Sequence, residues 1–72
     1  MQDELILMLK SQGYSDNELY QLMIDYYNDD SNAQQIAGQL GQMYRDYLPM
    51  GGSYEDNAGD IIWKIRNYFD NN

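Results

Sequence analysis

The side chains that most often perform catalysis are few in this 72-residue chain. Cysteine and histidine are both absent, so the remaining nucleophiles are hydroxyl groups and the remaining acid–base groups are carboxylates and tyrosines. Three of the four serines, Ser15, Ser31 and Ser53, stand where a helix cap or turn favours a small polar residue. A chain of this size also has little room to bury two carboxylates and separate their pKa values. The sequence therefore predicts that the protein is not an enzyme and needs no cofactor.

Two oxygen-rich stretches, NDDSN at 28–32 and YEDNAGD at 54–60, are candidates for a calcium site. An EF-hand loop requires oxygen ligands at alternate positions, a glycine at position six and a glutamate at position twelve. Neither stretch has this spacing. We therefore expect no metal site, and interpret Asp29-Asp30 and Glu55-Asp56 as loop carboxylates and helix caps.

The acidic side chains are more informative as a surface. On the second predicted helix, Glu18, Asp25 and Asp29 fall within about 40° of one another, opposite the inner stripe. We call these three residues the acidic ridge, and Asp30 follows it in sequence. Such a ridge is either a solvated helix face or a surface that fits a groove rich in arginine and lysine, as phosphate groups do.

The only tryptophan lies on the polar side of the most amphipathic segment, DIIWKIRNYF at 60–69. Trp63 is about 200° from Ile61 around the helix, on the side of Arg66 and Asp70. Interfaces are enriched in tryptophan and tyrosine, which bury a large area for little lost entropy. Trp63 is therefore predicted to contact a partner protein. The alternative is that the loop before this helix folds over Trp63 and makes it part of the core.

Tyrosines strengthen the interface interpretation, because eight of them exceed what a small core uses. Tyr20 and Tyr27 point away from the middle of the inner stripe of the second helix, which Leu22 and Tyr26 mark. We expect Tyr26 and Tyr27 to act with Trp63 as buried anchors in a complex.

Four helical segments must position these side chains, and no strand pattern competes with them. The first is predicted from about Asp3 to Gln12 and ends at Gly13. The second begins at a capping box, Ser15 with Glu18, and ends near Asn28.

The third predicted helix is capped by Ser31 or Asn32 and ends at Pro49. Its two glycines, Gly38 and Gly41, are explained by close helix packing. Its expected inner positions are Ala33, Ile36, Ala37, Leu40, Tyr44 and Tyr47.

A long loop, PMGGSYED at 49–56, precedes the fourth predicted helix. That helix is capped by Asp56 or Asn57 and ends near Phe69, with the isoleucines, Tyr68 and Phe69 on its inner face. With short connections elsewhere, the sequence predicts an all-α fold, a compact antiparallel bundle of four short helices in one domain spanning 1–72.

Composition limits the kind of partner. Twelve acidic residues against four basic ones give a net charge of -8, so direct binding of nucleic acid is not expected. No segment approaches the roughly 20 apolar residues of a membrane span, and the N-terminal sequence is acidic where a signal peptide is basic. A soluble, cytoplasmic protein without membrane contact is expected, inside a host cell if a phage encodes it.

The segment from Pro49 to Phe69 resembles the colicin and pyocin nuclease immunity proteins, which are small acidic four-helix proteins. In that family a third helix ended by proline, an acidic loop and a final helix with the pattern G-I-V-x-x-I-x-x-W follow one another. Here the order is Leu48-Pro49, the loop, and then Gly59 with DIIWKIRNY. The stretch DNELYQLMIDYY at 16–27 is similar to the acidic, aromatic second helix by which that family recognises its toxin.

Two further resemblances concern other classes of protein. Gln12-Gly13-Tyr14, with Asn28 and Ala33, resembles the first loop and following positions of ubiquitin-associated domains. The small, acidic, cysteine-free and helical character of the chain is similar to that of phage anti-defence proteins, including anti-CRISPRs.

These features predict an antagonist that occludes a basic site on a larger nucleic-acid-handling protein. Nuclease immunity and phage anti-defence are two settings for this one mechanism. The predicted contact residues are Glu18, Asp25, Tyr26, Tyr27, Asp29, Asp30 and Trp63. The alternative is a non-enzymatic adaptor of the ubiquitin-associated type, or a structural subunit that forms a homodimer.

Overall fold

Four α-helices make up most of the chain in the computed structural model, which describes residues 3–48 and 52–71. They are α1 (Glu4–Ser11), α2 (Asp16–Tyr27), α3 (Ser31–Met43) and α4 (Tyr54–Asp70), and a 3₁₀ helix spans Arg45–Tyr47. The described residues include no strand. The predicted all-α bundle of four helices is confirmed.

Hydrogen bonds define the start and the end of α1, and the turn at Gly13 that follows it was predicted from the sequence. Asp3 caps α1, and its Oδ1 accepts from the N–H of Leu5 at 2.8 Å. After α1, Gly13 adopts φ +105°, and the N–H of Tyr14 donates to the carbonyl of Leu9. A hydrogen bond from the residue after the glycine back to the last turn of the helix is typical of a glycine that ends a helix. The role predicted for Gly13 is therefore confirmed.

Both ends of α2 are held by specific hydrogen bonds. The predicted capping box is present: Ser15 Oγ accepts from the N–H of Glu18 at 3.1 Å, and Glu18 Oε1 accepts from the N–H of Ser15 at 3.0 Å. At the other end, the N–H of Asp30 donates to the carbonyl of Asp25 at 3.0 Å while Asp29 adopts φ +61°. Asp29 therefore lies outside α2, in the left-handed conformation that usually requires glycine.

The boundaries of α3 differ from the prediction. Its cap is Asp30, whose Oδ1 accepts from the N–H of Ala33 at 3.0 Å, rather than Ser31 or Asn32. The helix ends at Met43, and a 3₁₀ helix follows it. Pro49, predicted to end this helix, lies outside the described residues together with Met50 and Gly51.

The buried face of α3 is rotated from the one predicted. Ile36 is 41% exposed and Tyr47 38% exposed, so two of the six expected inner positions are wrong. The buried face of α3 is centred near Ala37, about 100° around the helix from Ile36. Gly38 and Gly41 lie on this side, where they allow α3 to pack closely against α4. Tyr47 is displaced because it belongs to the 3₁₀ helix.

Two glycines allow α3 and α4 to pack closely. A Cβ atom at Gly41 would lie 2.6 Å from the carbonyl carbon of Asn57, and one at Gly38 would overlap the ring of Tyr54. The close-packing interpretation of both glycines is confirmed. The helix α4 begins earlier than predicted: its cap is Ser53 rather than Asp56 or Asn57, and Asn57 is a fully buried residue of its first turns.

All four helices share one core, and α4 contacts each of the other three. The radius of gyration, 11.0 Å, matches the value of about 11 Å expected for a folded chain of this length. The fully buried aliphatic side chains are Leu5, Ile6, Leu9, Leu19, Ile61, Ile62 and Ile65. Among the described residues, no helix is long and apolar enough to cross a membrane.

Candidate protein-interaction surface

The acidic ridge does not form one continuous helical face. Glu18 and Asp25 lie in α2, whereas Asp29 follows its end. The carboxylate of Glu18 takes part in the capping box at the start of α2. The hydrogen bond that it accepts from the backbone N–H of Ser15 lowers its pKa. Asp25 accepts from Gln21 Nε2 at 2.8 Å, and Asp30 caps α3. The four carboxylates thus follow α2 from its first turn to the turn after it, and two of them also hold helix ends.

The exposed tyrosines of α2 lie on the opposite side of the helix from Glu18 and Asp25. Tyr20 and Tyr27 each follow an acidic residue by two positions, which places them about 160° away around the helix. They are 49% and 51% exposed and lean towards α4. Tyr20 packs edge-on against Phe69, with ring centroids 5.2 Å apart. On α2, the predicted carboxylates Glu18 and Asp25 are therefore separated from the predicted aromatic anchor Tyr27.

Tyr27 and α4 are joined by Arg66. The guanidinium carbon of Arg66 lies 6.0 Å from the centroid of the Tyr27 ring, and its Nε is 3.5 Å from Asp70 Oδ2. Trp63 lies one turn before Arg66 on α4. Arg66 thus connects Tyr27 of α2 with the part of α4 that carries Trp63. A partner surface shared by Tyr27 and Trp63 stays a prediction. Sequence periodicity could not reveal Arg66, because its contact is tertiary.

Tyr26 is only partly available as an anchor. It is half-buried against the core, edge-on to Tyr27 with ring centroids 5.8 Å apart, and its hydroxyl lies near Gly59. The sequence assigned it both to the inner stripe and to the partner surface. In the structure most of the contacts of Tyr26 are those of an inner-stripe residue.

Trp63 is 55% exposed, so the alternative in which it becomes core is not what the structure shows. Beside it lies a shallow groove between the start of α1, the 3₁₀ helix and α4, which we call the Trp63 groove. Its lining residues are Asp3, Glu4, Leu5, Asp46, Tyr47, Leu48, Trp63 and Lys64. Of these, only Trp63 was predicted as a contact residue. Apart from Lys64, the others come from two distant segments, 3–5 and 46–48, and no local pattern links these to Trp63.

Ion pairs neutralise most of the basic side chains. Lys10 pairs with Asp16 at 3.0 Å, Lys64 with Asp3 at 2.6 Å, and Arg66 with Asp70. The hydroxyl of Tyr68 donates to Asp16 Oδ1 at 2.8 Å, and this hydrogen bond is the main cause that lowers the pKa of Asp16. These pairs involve three of the four basic residues.

Most carboxylates therefore have no cationic partner. Nine of the twelve acidic residues make no ion pair with another described residue. They are Glu4, Glu18, Asp25, Asp29, Asp30, Asp46, Glu55, Asp56 and Asp60. Within the described ranges no three acidic side chains converge as a metal site would require. The charge is instead spread over the surface.

Comparison of the chain with protein-family models, with curated proteins and with solved structures finds no match in any of the three. The function must therefore be argued from the surface itself, because a helical bundle hosts many unrelated functions.

Proposed function

We propose that this protein is a small acidic antagonist that binds a basic site on a larger nucleic-acid-handling protein and blocks it by occlusion. Such an inhibitor needs no catalytic turnover. Nuclease immunity and phage anti-defence, the latter including anti-CRISPR activity, are both settings in which this mechanism works.

The observation that most favours this proposal is the distribution of charge. Three basic side chains are engaged by carboxylates, while nine carboxylates make no ion pair among the described residues. Such a surface repels nucleic acid and attracts a cationic protein surface, and it accelerates the encounter at low salt. Nucleic-acid-binding proteins carry the clustered arginine and lysine that this surface complements.

Exposed aromatic side chains supply the second requirement, which is buried area. Trp63 is 55% exposed and Tyr27 51% exposed on neighbouring helices. Charge alone gives rapid but weak association, whereas aromatic side chains that the partner buries slow the dissociation of the complex. A protein that carries both features on a rigid bundle is suited to competitive occlusion.

Affinity capture from the native host tests the proposal. Wild-type protein is immobilised beside Trp63→Ala and the double variant Asp25→Lys/Asp29→Lys, each first shown to be helical by circular dichroism. A bound partner is then purified, and its binding of a fluorescent oligonucleotide is followed by anisotropy as the antagonist is added. We expect wild type to displace the oligonucleotide and both variants to displace it poorly.

Two outcomes would refute the proposal. One is a partner whose oligonucleotide binding is unchanged by saturating antagonist. The other is binding that does not weaken between 0.05 and 0.5 M salt, since screening of exposed charges must slow this association (about 10 Å Debye length at 0.1 M).

A second candidate function is self-association as a structural subunit, which the exposed Tyr20, Tyr27 and Trp63 favour. These side chains could bury against a second copy of the chain. Sedimentation equilibrium distinguishes the two, because this alternative requires a dimer that is lost in Trp63→Ala and persists at high salt. The charge of -8 opposes such pairing at low salt.

A further inference from the structure

The Trp63 groove combines aromatic, apolar and acidic groups in one concavity. Trp63 and Tyr47 present exposed rings, while Leu5 and Leu48 are buried beneath them. Glu4 and Asp46 line the same groove and make no ion pair among the described residues. A surface that only contacts solvent seldom combines an exposed tryptophan, carboxylates without ion pairs and an apolar floor in one concavity.

Among the described residues that line the groove, Lys64 is the one cation, and it is already neutralised. Lys64 Nζ lies 2.6 Å from Asp3 Oδ2, and Lys64 is the less exposed of the two side chains. Partial burial would raise the pKa of Asp3, but the Lys64 ammonium and the backbone N–H of Leu5 lower it. Counting this pair as neutral, the carboxylates of Glu4 and Asp46 remain uncompensated, so the groove has a net negative charge.

We infer that the Trp63 groove binds an arginine side chain from a basic segment of the partner protein. This inference rests on the proposed function and names the group that its surface recognises. A guanidinium is planar, stacks on indole and phenol rings, and donates in a fork to carboxylates. Its alkyl stem packs on an apolar floor while the charged end stays among polar groups.

Other occupants fit the same groove less well. A purely apolar side chain would cover Glu4 and Asp46 and leave their charges without a partner, which is costly. An anion would meet two uncompensated carboxylates. A lysine provides the charge, but it lacks the planar fork and is more strongly hydrated.

Short peptides of equal length test the inference directly. The probes are acetylated and amidated tetra-arginine, tetra-lysine and tetra-citrulline, titrated into the protein while Trp63 fluorescence and two-dimensional NMR shifts are recorded. We expect tetra-arginine to bind about three- to tenfold more tightly than tetra-lysine, from the cation–π and fork contributions. Tetra-citrulline should not bind, and the largest shifts should occur at Trp63, Asp46 and Tyr47.

Two double variants of equal charge separate this groove from the general acidic surface. Glu4→Gln/Asp46→Asn removes the two groove carboxylates, whereas Glu55→Gln/Asp56→Asn removes two exposed carboxylates from the first turn of α4. We expect the first to weaken tetra-arginine binding about tenfold, equivalent to about 1.4 kcal/mol, and the second to change it less than twofold. The single variants Glu4→Gln and Asp46→Asn replace the double variant if it is not helical by circular dichroism.

Equal loss in the two double variants, or equal affinity for tetra-arginine and tetra-lysine, would overturn the arginine groove. The proposed antagonist would survive that result if the captured partner were still bound in a salt-dependent way. Conversely, an intact arginine groove without displacement of nucleic acid would refute the antagonist alone. The two failures are therefore distinguishable.

Discussion

The backbone of Asn57 lies directly against Gly41, at the point where α3 and α4 make their closest approach. A Cβ atom at Gly41 would be 2.6 Å from both the carbonyl carbon and the carbonyl oxygen of Asn57. Because backbone atoms cannot rotate away as a side chain can, this contact limits how closely α3 and α4 can pack.

Gly41→Ala should destabilise the protein although alanine is the better helix former. The overlap with Asn57 forces α3 and α4 apart, and we expect a loss of about 2 kcal/mol or more in the free energy of unfolding. Gly38→Ala should cost less, since it meets only the ring of Tyr54. In a Tyr54→Ala background Gly38→Ala should become stabilising by up to about 1 kcal/mol, and urea unfolding measures all of these values.

The sequence predicted those parts of the fold that depend on local chemistry. Gly13 and the Ser15–Glu18 capping box have signatures within a few residues, and both are confirmed. The exposure of Trp63 likewise follows from helical periodicity. Ile36 was misassigned because glycines rotate the buried face of α3, an effect that depends on the partner helix rather than on the period.

The candidate site was less predictable than the fold. The acidic ridge assumed that α2 continues through Asp29, but the chain leaves the helix at Asn28. The groove beside Trp63 brings together α1, the 3₁₀ helix and α4, and its carboxylates are separated by about forty positions in the chain. No periodic pattern connects residues so far apart, and only the packing of α1, the 3₁₀ helix and α4 brings them together.

Replacement of Asp29 by glycine should stabilise the protein. Asp29 adopts φ +61°, and its carboxylate lies near the negative end of α2. Glycine takes this conformation without strain, so Asp29→Gly should raise the free energy of unfolding by about 0.5–1 kcal/mol. If Asp29 also contacts the partner, the same variant should bind it more weakly. Thermal unfolding checks the first effect and partner titration the second. Asp29→Asn, which keeps the tolerance for this conformation but removes the charge, separates strain from electrostatics.

Ser53 and Ser31 test the helix caps assigned in the structure, because both were predicted from the sequence to be cap or turn residues. Ser53 Oγ accepts from the N–H of Asp56 at 3.2 Å, whereas Asp30 and not Ser31 caps α3. Ser53→Ala should therefore lower the free energy of unfolding by about 1 kcal/mol, and Ser31→Ala should change it by less than about 0.5 kcal/mol. A cost for Ser31→Ala equal to that of Ser53→Ala in urea unfolding would show that the cap of α3 is misassigned.

The pairing of Asp3 with Lys64 should stabilise the fold in a pH-dependent way. Lys64 and local N–H groups lower the pKa of Asp3 below 3.8, so its contribution is present above that value and is lost as pH falls through the folded-state pKa. Asp3→Asn keeps a capping side chain and removes the charge. We expect it to cost at most about 1 kcal/mol at pH 7, since the pair is partly exposed to solvent screening. The difference from wild type should shrink as pH falls below 3.8 and disappear once Asp3 is protonated in the folded state. A difference that grows on acidification would contradict the assigned direction of the shift.

Fluorescence quenching of Trp63 should report both its exposure and the sign of the charge around it. Because Trp63 is the only tryptophan, its emission can be assigned without mutation. Relative to N-acetyltryptophanamide, we expect caesium to quench it more effectively than iodide at low salt, since Glu4 and Asp46 line the adjacent groove. This preference should fade as salt shortens the Debye length from about 10 Å at 0.1 M to about 3 Å at 1 M. Asp46→Asn should reduce it, whereas Asp25→Asn on α2 should not. Resistance to both quenchers would place Trp63 in the core, and equal quenching by both ions would remove the electrostatic basis for an arginine partner at this groove.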